Sequence, residues 1–136
     1  MIRKQKNMQA GQSLSEFAFA FPIIMLATMG LITLGLVGFA AINASNAANF
    51  GARMGSVAQT NPVTVAQTRA LMKLAAVPVG TYTVAVSGGG APGEMIVVRV
   101  DYRVPNFFYG LGNFFGVATA KEIEGSTYAY FRKEGW

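Results

Sequence analysis

The chain has 136 residues, of which 52% are hydrophobic and only 12% charged, with a formal net charge of +5. Three of the eleven basic residues, Arg3, Lys4 and Lys6, stand in the first eleven positions; beyond residue 11 eight basic residues face six acids, so no basic stripe of the kind nucleic-acid binding needs is left. Cys and His are both absent, which excludes disulfide staples, thiol chemistry and the commonest general base and metal ligand.

A short basic leader, residues 1–11, ends at Gly11 and runs into Gln12, Ser13, Leu14, Ser15 and Glu16. Ser13 followed by Glu16 is a capping-box pattern, with Ser13 as N-cap and Glu16 at the third helical position. Residues 17–42 then carry no charge, and the only polar side chains among them are the hydroxyls of Thr28 and Thr33. As a helix this run reaches about 39 Å against about 30 Å of bilayer hydrocarbon, enough to span with tilt or overhang. A secretory signal has a shorter apolar region of about 7–15 residues, so that reading fits poorly, although Ala-rich sequence over 40–48 keeps it open. The basic leader predicts a cytoplasmic N-terminus, with residues 43–136 outside the cytoplasm. Pro22 removes one backbone donor and is a candidate kink.

Past the apolar run the helix is expected to continue to about Ala58. Asn43, Asn46, Asn49 and Arg53 fall on one side of it, Ala44, Ala48 and Ala52 on another. Ala47, Gly51 and Gly55 form a small-residue row that lets another helix or a sheet approach closely; the plainer reading is that the two glycines end the helix. Asn61 and Pro62 break it and open a second helix over 63–76, with Val63, Ala66, Ala70, Leu71, Leu74 and Ala75 at helical spacing and Arg69 and Lys73 outward. Residues 81–87 and 95–104 alternate around a Gly-rich turn at 88–93 and read as an antiparallel hairpin. A third strand is expected between 118 and 132, with Gly125 as a bulge or break. The segment 105–116 holds five aromatics, and reads either as a plug over the sheet or long helix or as a patch for a membrane surface or a neighbouring subunit. Glu122 and Glu124 share one strand face, where a carboxylate pair is conceivable but a solvated surface is the simpler reading. The fold class is thus α+β: a long N-terminal transmembrane helix (residues 12–58, span about 17–42) and a small extracytoplasmic domain (59–136) of one short helix and a three-stranded antiparallel sheet.

Gly11, Gln12 and Glu16, followed by Phe17 and the apolar helix, resemble the prepilin-peptidase site of type IV-like pilins. More narrowly, residues 11–22 resemble the start of TadE-like pseudopilins of the tight-adherence pilus system, and residues 46–55, with Gly51, Ala52 and Arg53 after the membrane helix, resemble that family's second recurrent segment. The resemblance implies cleavage between Gly11 and Gln12 by a prepilin peptidase. It implies assembly with other pilin or pseudopilin subunits by an inner-membrane platform, in which Glu16 meets the new amino terminus of an adjacent subunit. It implies no catalysis and no cofactor. The expected role is therefore a minor pilin or pseudopilin. The alternatives are the main subunit of a type IV-like filament and a single-pass anchored binding protein that never polymerises.

Overall fold

The computed structural model describes residues 4–114 and 116–135, with side chains over 11–113 and 116–135. Expectations that involve residues 1–3, the side chains of Lys4 and Lys6, that of Phe114, or Phe115 and Trp136 lie outside the described residues.

The first helix, α1, runs unbroken for 53 residues from Lys4 to Ser56 and passes through Pro22. The expected start at Ser13 is therefore corrected: Ser13 lies inside the helix and caps nothing. Lys, Gln, Met and Ala, which fill most of residues 4–10, are good helix formers, and the one weak residue, Gly11, costs only about 1 kcal/mol relative to Ala. Nothing there is strong enough to stop the helix.

Residues 11–28 of α1 are exposed on every side. From Met29 upward one face is covered, through Thr33, Ala40, Ala44, Ala47, Ala48, Gly51, Ala52, Gly55 and Ser56. The steps of three and four residues keep this stripe on one side of the cylinder. Asn46, Asn49 and Arg53 stay on the exposed side.

The second helix, α2, spans Pro62–Leu74 and starts with Pro at its first turn, where the missing N–H is no loss. Asn61 precedes it in the left-handed conformation (φ 49°) and makes no side-chain cap. Only Ala66, Ala70 and Leu74 of its apolar set are buried; Val63, Leu71 and Ala75 are exposed. The expected apolar stripe is thus twice as wide as the face that α1 covers.

Three strands follow, β1 (Thr81–Gly88), β2 (Met95–Pro105) and β3 (Glu122–Arg132), in the spatial order β1-β2-β3 and all antiparallel. The short helix α3 (Tyr109–Phe114) lies between β2 and β3. Ile96, Val98, Val100 and Val104 of the central strand are fully buried on the inner face, while Arg99 and Arg103 stand outside. Gly88, Gly89 and Gly93 hold positive φ angles of 80°, 77° and 85° around the hairpin turn, which side chains would resist. Gly125 is neither bulge nor break, because β2–β3 pairing continues through Tyr102 opposite Gly125 without a slipped residue. The Tyr102 ring lies against Gly125 and takes the space its side chain would fill.

The architecture is two layers, α1 and α2 on one face of the sheet. The core joins the alanines of both helices to Ile96, Val98, Val100 and Ala129, with Tyr82, Val84, Val86, Tyr102 and Phe131 at its edges. Alanine and glycine on the helices admit close approach, and the β-branched residues of the sheet supply the bulk.

Candidate functional site

Two groups of residues stand out, at opposite ends of α1. At the lower end, among the described residues and apart from the helix's own backbone, no heavy atom lies within 4 Å of where a Gly11 side chain would begin. Gln12 and Glu16 lie one turn apart, and the Gln12 amide Nε2–H donates to Glu16 Oε1 at 3.2 Å. The Ser15 hydroxyl donates to the Gln12 carbonyl at 2.8 Å. Phe17 and Phe21 lie ring to ring at 5.7 Å on the same bare segment. Glu16 is the only acid in α1. A carboxylate beside an apolar helix is costly without a partner, and among the described residues its partner is the neutral Gln12 amide.

At the upper end the small-residue row lies inside the domain. A side chain at Gly51 would start 2.7 Å from the Ala66 carbonyl and 2.9 Å from the Ala70 methyl. One at Gly55 would start 2.7 Å from both the Ala66 methyl and Ile96 Cδ1. Ala47 is fully buried in the same seam. The row is where α2 and the sheet press on α1. Gly11, Gln12, Glu16 and Phe17 are separated from it by about 50 Å of helix at about 1.5 Å per residue, so the structure does not bring the two groups together.

The outer face of the sheet has a shallow depression of about 410 Å³ lined by Thr83, Arg99, Asp101, Arg103, Glu124 and Ser126 among others. Its charges are already matched. Arg99 Nε donates to Asp101 Oδ1 at 2.7 Å, its guanidinium lies 5.6 Å from the Tyr128 ring centre, and Arg103 Nε meets Glu124 Oε1 at 3.1 Å. Glu124 is thus engaged by an arginine, and the conceivable Glu122–Glu124 pair does not act as a unit.

Two contacts escape sequence reasoning. Lys73 Nζ lies 5.7 Å from the centre of the Phe50 ring and ties α2 to α1. The Phe108 ring reaches 3.3 Å from where a Gly30 side chain would begin, deep along the apolar part of α1. The only sequence signal for the second is a glycine inside an apolar run.

This arrangement defines a class: one apolar helix of membrane-spanning length and composition, bare at its lower end and fused at its upper end to a small α+β domain. Within that class, the family model of TadE-like proteins matches residues 11–53, opening on Gly11 and closing on Arg53. Over this segment, about a third of the chain, the protein is similar to TadE-like proteins. No curated protein and no solved structure gives a significant match.

Proposed function

We propose that the protein is a minor pilin or pseudopilin of a tight-adherence pilus. It is held in the inner membrane with its N-terminus cytoplasmic, cut between Gly11 and Gln12 by a prepilin peptidase, and drawn by the inner-membrane assembly platform into contact with other pilin subunits. The observation that carries this reading is the coincidence of the TadE-like match, which begins at Gly11, with a helix exposed on all sides over residues 11–28. Such a helix needs lipid around it before assembly and neighbouring helices afterwards. The covered face above Met29 leaves the lower part free to pass from one surrounding to the other without refolding the domain.

Gly11 suits the cut. The scissile bond lies within α1, and a peptidase has to draw it into an extended strand. Glycine resists unwinding least among the non-proline residues, by about 1 kcal/mol relative to Ala, and admits close approach of another backbone. Cleavage removes the basic leader and makes a new amino group at Gln12, one turn from the Glu16 carboxylate.

Intact mass and N-terminal sequencing of the protein from membranes and from sheared pili test the proposal. The expected mature chain starts at Gln12, and Gly11→Leu leaves the full-length precursor in the membrane. Pili that contain this protein with residues 1–11 still attached would overturn it.

A further inference from the structure

The segment between β2 and β3 descends along α1 to a depth that the sheet does not reach. Ile96 packs at Gly55, and Phe108, twelve residues later in the chain, packs at Gly30. The chain therefore runs down α1, antiparallel to it, at about two helical residues per strand residue, as rises of about 3.3 and 1.5 Å require. This inference rests on the membrane orientation proposed above, with Glu16 at the cytoplasmic edge of the hydrocarbon. Gly30 then lies about 21 Å above Glu16, some 9 Å short of the outer edge of a hydrocarbon layer about 30 Å thick. Tilting α1 only lowers it further.

The chemistry of the segment suits that depth. No charged residue stands between Arg103 and Lys121. Phe107, Tyr109 and Val117 are 45%, 38% and 56% exposed, and Leu31 and Leu34, which follow Gly30 on α1, are exposed as well. By the same descent Arg103 stands near the level of Ala40, about 36 Å above Glu16 and outside the hydrocarbon.

Backbone left unpaired in hydrocarbon is costly, and irregular chain is tolerated there only when its polar groups are satisfied. This loop ties up many of its own. The Asn106 carboxamide donates to the Ala120 carbonyl at 2.8 Å and accepts from the Phe108 N–H at 3.0 Å, joining both ends of the loop. Backbone N–H groups of Asn106, Tyr109, Gly112, Gly116 and Val117 donate to carbonyls of Lys121, Asn106, Phe108, Asn113 and Gly112. We propose that residues 106–113 and 116–120 form an aromatic foot that dips into the outer leaflet beside α1 and fixes how deep the unassembled subunit sits in the membrane.

The absence of Cys makes the test direct. Single nitroxide labels on Phe107→Cys, Val117→Cys, Leu26→Cys and Thr83→Cys variants of the full chain are compared in vesicles of phosphatidylethanolamine and phosphatidylglycerol. Collision with oxygen, which concentrates in lipid, and with a water-soluble nickel chelate reports the surroundings of each. The expected result is loss of nickel accessibility at Phe107 and Val117 to the level of Leu26, with oxygen accessibility kept, while Thr83 collides freely with nickel. Nickel access at both loop sites with Leu26 still protected overturns the foot and leaves the membrane span standing. Protection of the loop sites from both reagents also overturns it, in favour of a contact with a second copy. Nickel access at Leu26 removes the span itself, and the foot with it.

Discussion

Glu16 is the residue on which assembly should turn. Its carboxylate accepts a hydrogen bond from Gln12, a neutral contact with a net worth of about 1 kcal/mol. A new amino group on a neighbouring subunit would be a far stronger partner at a poorly screened seam, and stranding one member of such a pair costs about 3–5 kcal/mol. Glu16→Ala and Glu16→Gln should therefore insert and be cleaved as the native chain is, yet fail to enter or initiate pili. Cell-surface pilus counts, read beside the mass of the membrane-bound protein, check this. Normal piliation by Glu16→Gln would show that hydrogen-bonding shape suffices without charge. That Gln12 and Glu16 lie one helical turn apart was legible, because it is a matter of local spacing. The role of Ser13 was not. A Ser-x-x-Glu pattern marks a helix start only where the preceding residues stop being helical, and residues 4–10 do not stop.

At the scale of elements, the seam between α1 and α2 is governed by the absence of side chains. Gly51 faces the Ala66 carbonyl and Ala70 at distances that leave no room for a methyl group, whereas Asn49, two residues away, is exposed and bonds only to Ser45. Gly51→Leu should lower the stability of the domain by at least the 1–3 kcal/mol typical of overpacking, while Asn49→Leu should stay within about 0.5 kcal/mol. Denaturant unfolding of the detergent-solubilised chain, followed by circular dichroism, measures the difference. Equal tolerance of the two changes would mean that the seam yields to a side chain at Gly51 at little cost. The first two strands were readable almost to the residue, since alternation reports directly which side chains face a core, whereas the third, expected between 118 and 132, begins only at Glu122. The helices were less so. Periodicity gives the spacing of apolar residues but not what lies opposite them, and Val63 and Leu71 of α2 keep the spacing yet stand exposed among the described residues. Gly125 misled for a related reason: a glycine in a strand can mark a bulge or a place for a neighbour's ring, and only the register, with Tyr102 across from it, distinguishes the two.

The whole molecule is suited to two surroundings along a single helix. The basic leader and the uncharged run predict that a reporter fused after Trp136 is active only outside the cytoplasm. Paired alkaline phosphatase and green fluorescent protein fusions check this, and cytoplasmic fluorescence at that position would reverse the orientation and remove the pilin reading. The depth of the aromatic loop was beyond sequence reading, because it depends on Phe108 meeting Gly30 across most of the chain. The same sharing of α1 between its two ends has a consequence for any attempt to detach the domain. Residues 57–61 look like a natural place to cut, but the wall against which Ile96, Val98 and Val100 pack lies before that point, on Ala44, Ala47, Ala48 and Ala52. Proteolytic shedding at 57–61 would tear the core open instead of releasing a folded ectodomain, and a water-soluble fragment suitable as an antigen has to keep α1 from about residue 40 onward.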